Sequence, residues 1–177
     1  MTCYHEPLKD KDRERRDGLH KKTLGDTGKP RKQPHRGSDW GYKNGSKGRD
    51  FRAIHDGTIT KILETAELGC SVIIKNDPCD NPACAGGVWI GYNHAETPTA
   101  LKVGDKVVGG VTPINKMSDK GSRGAPHLHA AAAKHPIPHV ASRELLLDLF
   151  ALIDASRAAR QAAKAAAAAA TPPGASK

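Results

Sequence analysis

The chain has 177 residues, enough for one domain with a real core, and its 28 Lys and Arg against 19 Asp and Glu give a formal charge of +9 and a pI near 9.5. That balance favours anionic partners, whether nucleic acid, anionic membrane surface or cell-wall polymer, and charge alone does not choose among them. No run of about 18 apolar residues occurs, so a transmembrane helix is not expected.

Residues 1 to about 30 are mostly charged and show no apolar periodicity, with Leu8 and Leu19 isolated. They are expected to form a flexible or loosely attached arm, either a solvated leader or an electrostatic attachment to an anionic surface. Glu6, Asp10, Asp12 and Glu14 lie among its bases, and no signal-peptide core is present, so export by the ordinary route is not expected. In the next stretch, Pro34-His35-Arg36-Gly37-Ser38-Asp39-Trp40-Gly41, a histidine and an aspartate stand four apart. Even spacing places them on one side of an extended segment, and Pro34, Gly37 and Gly41 disfavour a helix.

From Phe51 the chain reads as β. Phe51 to Ile62 alternates in part around Asp56-Gly57 and fits two short strands. Ser71 to Lys75 and Val88 to Tyr92 are β-rich runs flanking a loop that contains Cys79 and Cys84, and His94 follows the second run. The loop closes a disulfide, keeps thiols or, less expected, holds a metal with outside help; its spacing matches no four-ligand zinc motif. Leu101 to Gly110 reads as strand, Gly-Asp turn, strand, and Met117 to Gly124 as a Gly/Ser turn delivering the chain into a central strand at Pro126-His127-Leu128-His129-Ala130. From Ser142 the pattern is helical, with Ser142 as cap and Glu144 and Asp148 in the early turns. Ala155 to Ala170 favours helix with little to bury, as a linker or frayed extension, and two prolines stop it before Lys177. The predicted fold is mainly β, an antiparallel sheet or open sandwich forming a groove, with a C-terminal α-helix.

The stretch richest in chemistry is Gly124 to His129. In a strand, His127 and His129 project to one side and Leu128 to the other. Alone, such a pair is more often two solvated histidines on an edge strand. With His35 and Asp39, however, His129 supplies a second nitrogen beside one oxygen, leaving a fourth position open, which is the pattern of a catalytic rather than a structural zinc site. His5, His20, His55, His135 and His139 have no evident partner.

HRGSD at 35–39, AIHDGTI at 53–59, Tyr92-Asn93-His94, KVGDKV at 102–107 and GAPHLH at 124–129, in this order, resemble the lysostaphin-type zinc endopeptidases of bacterial peptidoglycan. The resemblance covers about residues 30 to 135. It implies that His35, Asp39 and His129 bind Zn2+, that His127 acts as base on the water, and that His94 stabilises the oxyanion. The expected division is a charged arm at 1–30, a metallopeptidase domain at 31–140, a helical, Ala-rich extension at 141–170 and a disordered tail at 171–177. Two departures stand out: Ala130 to Ala133 follow the HxH where a bulky apolar residue and an acid are usual, and Arg123 replaces a small turn residue, where it would bind a substrate carboxylate or be solvated. The implied function is hydrolysis of peptide bonds in peptidoglycan stems or cross-bridges by a monomer. Without a signal peptide, the expected setting is a bacteriophage endolysin released by a holin or a virion-associated lysin. The alternative is an inactive wall-binding or partner-binding member of the same fold. Specific nucleic-acid binding is not expected, since the bases lack interleaved aromatics and a recognition helix.

Overall fold

The computed structural model describes residues 3–19, 34–97, 99–122 and 126–170. Its ten strands are β1 (Arg13–Asp17), β2 (Ser38–Tyr42), β3 (Asp50–Arg52), β4 (Gly57–Thr65), β5 (Gly69–Asn76), β6 (Trp89–Ala95), β7 (Lys106–Val107), β8 (Pro113–Lys116), β9 (Leu128–Ala133) and β10 (Leu146–Leu147), followed by helix α1 (Leu149–Ala169). Eight strands form one curled antiparallel sheet in the order β1-β2-β9-β6-β5-β4-β7, with β10 also paired to β9; β3 and β8 form a separate ribbon. The expected mainly β architecture with a C-terminal helix is what the chain adopts.

Alternation along the central strand separates two faces. Leu128, Ala130 and Ala132 join Trp40, Val72, Ile74, Ile90 and Tyr92 in the main core. His129, Ala131 and Ala133 look the other way. There the 3-10 turn Pro138–Val140 packs over β6 and β9, against Gly91. The alanine run thus lets a loop cover the far half of the strand, and all four alanines are buried.

Three local expectations give way to tertiary packing. Residues 3–19 are not a loose arm: β1 extends the sheet beside β2, and Tyr4 and Leu8 are fully buried. The strand Arg13–Asp17 carries only charged residues because it is an edge, held by pairing and by ion pairs such as Arg15 to Glu6 and Asp154. Truncating Leu8 to alanine should cost about 2–5 kcal/mol, a drop readable by chemical denaturation; an unchanged midpoint would show that the segment does not contribute to the core. Leu101 to Gly110 holds one short strand rather than two. Its first half is a turn closed by Lys102 N–H donating to Asp105 Oδ2 (2.8 Å), with Gly104 at φ 98°. Finally, α1 begins at Leu149, not near Ser142. Leu146 and Leu147 instead pair with Ala133 and Ala132 on the edge of β9 left open beyond β2, and Asp148 becomes the cap, its Oδ1 accepting from Phe150 and Ala151 N–H. Helix α1 docks through Leu149 and Ile153, with Phe150 edge-on to Trp40 at 4.9 Å. It runs unbroken through the exposed alanines, as their propensity allows.

Candidate metal centre

Sheet register builds the centre. Asp39 on β2 and Asn93 on β6 both lie directly opposite His129 on β9, so all three share the face away from the main core. Asn93 is fixed by accepting from the Ser71 hydroxyl (2.7 Å), which continues the row onto β5. His35 arrives from the segment before β2. Gly37 lies between them, where a Cβ would stand 2.7 Å from His129 Cε1 and 2.6 Å from the Ala130 carbonyl oxygen. The imidazole therefore needs a glycine at that position.

Three ligand atoms converge. His35 Nε2 is 3.0 Å from His129 Nδ1 and 3.2 Å from Asp39 Oδ1, and His129 Nδ1 is 2.9 Å from the same oxygen. Those separations approach the roughly 3.3 Å edge of a tetrahedron with metal–ligand bonds near 2.0 Å. His35 Nδ1 donates to the Gly18 carbonyl at 3.1 Å, so its proton sits there and Nε2 keeps its lone pair. Burial would raise the Asp39 carboxyl, but His129 and His35 against it hold it well below the usual carboxylate range. Burial lowers His129, with Asp39 opposing. Asp39 is thus held as a carboxylate and His129 resists protonation, the forms in which both groups bind a zinc ion. The donor set and geometry fit the metal.

Two more histidines stand beside this trio. His127 directly precedes β9, with Nε2 3.7 Å from Asp39 Oδ1. His94 reaches the site through a β-bulge: Tyr92 pairs with Val72 and Ala95 with Cys70, so Asn93 and His94 together oppose Ser71. The bulge puts His94 at φ 62°, a left-handed conformation otherwise held by glycines among the described residues. Its ring centroid lies 4.7 Å from that of His127 and 6.0 Å from that of His129. Its Nδ1 donates to the Lys120 carbonyl at 3.2 Å. Burial, then the neighbouring His127 and His129, lower its pKa from 6.5 to about 3.

This shift has a pH signature. The unfolded imidazole takes up a proton below about 6.5 that the folded one refuses until about 3. Stability is therefore greatest above 6.5 and declines as pH falls through that window. The melting temperature of metal-free protein should fall accordingly, with a shallower fall in His94→Asn; a flat profile from 6.5 to 4 in the parent would contradict the buried neutral ring.

The structure thus brings together His35, Asp39, His129, His127 and His94, whereas Arg123 lies outside the described residues. The carbonyls of Gly18 and Lys120 were not anticipated, since a backbone oxygen leaves no mark in a sequence. His139 also approaches: the charge of His129 and of Arg36 acts on it, and its Nδ1 is buried without a hydrogen-bond partner among the described residues.

No sequence-family model and no curated protein matches the chain. Solved structures do. The catalytic domain of the antimicrobial peptidase lysostaphin from Staphylococcus simulans aligns at a TM-score of 0.59 and 22% identity, over 80% of this chain and 92% of that one. This chain has the fold of the lysostaphin-type peptidases. A zinc-containing peptidase from Vibrio cholerae shares that lysostaphin-type fold at a TM-score of 0.59 and 19% identity, over 83% of this chain but 39% of that longer one. A chain of the SpoIIQ–SpoIIIAH pore-forming complex aligns at a TM-score of 0.62 and 15% identity, over 86% of this chain and 90% of that one. The lysostaphin-type fold by itself therefore does not decide activity, and the side chains must. No helix among the described residues is long and apolar enough to cross a membrane.

Proposed function

We propose that this protein is a zinc-dependent endopeptidase that hydrolyses peptide bonds in peptidoglycan stem peptides or cross-bridges. The observation that carries the reading is the convergence of His35, Asp39 and His129 within 2.9–3.2 Å, beside the His94 and His127 rings. The lysostaphin-type fold supports the substrate class, and the net positive charge suits an anionic wall.

When bound, the zinc ion supplies Lewis-acid polarisation of the scissile carbonyl and acidifies the attacking water. The remaining work falls to the two histidines. The resemblance implied His127 as base and His94 as oxyanion donor. The Lys120 contact favours an exchange: with its proton held at Nδ1, neutral His94 offers a lone pair at Nε2, so it accepts the proton of water and passes it to the leaving amine. His127 then supplies the N–H toward the developing oxyanion.

The deciding experiment is mass spectrometry of fragments released from purified peptidoglycan by the protein as purified, after chelation, and after zinc is restored. New amino termini within stems or bridges, lost on chelation and regained with zinc, are the expected result and identify the bond. Intact peptides across wall chemotypes would instead favour the binding role that the SpoIIQ–SpoIIIAH likeness brings to mind.

A further inference from the structure

His94 closes one end of β6, and a second group of ligand-type side chains gathers at the other. Cys79 and Cys84 frame the connection from β5 to β6, Cys3 comes from the N-terminal segment, and His55 from the turn entering β4. The sulfurs of Cys3 and Cys79 and a ring nitrogen of His55 lie within 4.8 Å of one another, and Cys84 Sγ is 2.6 Å from Cys79 Sγ. Three distant stretches of chain thus deliver Cys3, Cys79 and His55 to one place, and Cys84 joins them through its contact with Cys79.

The imidazole supplies the independent sign of a ligand. His55 is only 2% exposed. Its Nδ1 donates to the Asp56 carbonyl oxygen at 2.6 Å, which leaves Nε2 as a bare lone pair. That nitrogen is buried and has no hydrogen-bond partner among the described residues, a state that ordinarily costs about 1–3 kcal/mol. A cation bound among the sulfurs would satisfy it.

The surroundings are those of a site held from outside. The Tyr4 ring packs edge-on to His55 at 4.9 Å, and its hydroxyl lies 3.3 Å from Cys84 Sγ, in place to donate to a thiolate. The loop itself is fixed by Asn81, whose Oδ1 accepts from Ala83 N–H and whose carbonyl accepts from Cys84 N–H. Such outer contacts orient ligands and offset thiolate charge.

We propose that Cys3, Cys79, Cys84 and His55 form a second metal site, a closed three-sulfur, one-nitrogen set for a thiophilic divalent cation, foremost zinc. Four protein ligands leave no open position, so the site is structural. Soft thiolates select zinc over magnesium or calcium, and each thiol that ligates releases its proton to solvent. Its role is to fasten the N-terminal segment to the sheet. That segment leads into β1 and to Gly18, whose carbonyl orients His35, so the staple supports the first centre from a distance. A disulfide between Cys79 and Cys84 alone would leave His55 Nε2 without a hydrogen-bond partner among the described residues.

The site shares no residue with the hydrolytic centre, so its test is independent of that reading. Full-length protein, reduced and metal-free, is titrated with cobalt(II). A thiolate-to-cobalt charge-transfer band should grow to saturation at one equivalent, discharge on addition of zinc, persist in His129→Ala, and disappear in Cys84→Ser and Cys3→Ser. His55→Ala should weaken cobalt binding at least tenfold. The absence of a thiolate band in the reduced parent protein would overturn the proposal whatever the variants do. So would a band that survives Cys3→Ser unchanged.

Discussion

Asp39→Asn should leave a folded protein that no longer holds zinc and no longer cleaves peptidoglycan. Asp39 is the only carboxylate of the trio, and its Oδ1 faces both His129 Nδ1 and His35 Nε2. An amide retains size and one carbonyl oxygen, but it removes the charge that compensates the cation. The pair of imidazoles alone supplies two neutral ligands, too few for a catalytic zinc. Metal content by elemental analysis should drop by one equivalent, and the hydrolysis rate should fall by about 10³-fold or more, in line with losing both Lewis acid and acidified water. Far-ultraviolet circular dichroism should be unchanged, because the backbone pairing of Asp39 with His129 does not involve the carboxylate. Retention of that zinc equivalent in Asp39→Asn would mean that the three atoms are a hydrogen-bonded cluster rather than a ligand set.

The side chains of this centre were legible in the sequence because ligand chemistry is confined to few residue types and because period-two alternation places His35 with Asp39, and His127 with His129, on one side of their segments. What orients them was not. The Gly18 and Lys120 carbonyls can be offered by any residue, and only the folded chain brings them to His35 and His94. The bulge that turns His94 inward is likewise invisible, since it arises from a mismatch of two residues against Ser71 across strands. The N-terminal segment looked unstructured because Tyr4 and Leu8 are isolated apolar residues, each buried by partners far away in the chain. The same blindness hid the sulfur cluster: Cys79 and Cys84 leave a disulfide, thiols and a metal all open, and only tertiary packing brings Cys3 and His55 to Cys79. The start of α1 was misplaced for a related reason, as Leu146 and Leu147 found a strand edge that outweighed their helical pattern.

The second large effect separates chemistry from metal binding. His127→Ala and His94→Asn should each keep the zinc of the first centre, since neither touches the His35, Asp39 and His129 trio as a ligand, yet each should lower kcat by about 10²–10⁴-fold. Asparagine is the better replacement at 94 because it tolerates the left-handed conformation at φ 62° that alanine would strain. Loss of zinc in either variant would show that the histidine ligates rather than moves protons. The pH profile then assigns the roles. Burial already holds His94 at about 3, and a cation alongside displaces it in the same direction. If His94 is the base, the acidic limb of kcat/KM therefore lies well below the ordinary histidine value of about 6.5. A limb near 6.5 in the parent protein that vanishes in His127→Ala would return the base to His127. The limb staying low in His127→Ala, with activity depressed evenly across pH, is the result expected when His94 is the base and His127 donates to the oxyanion.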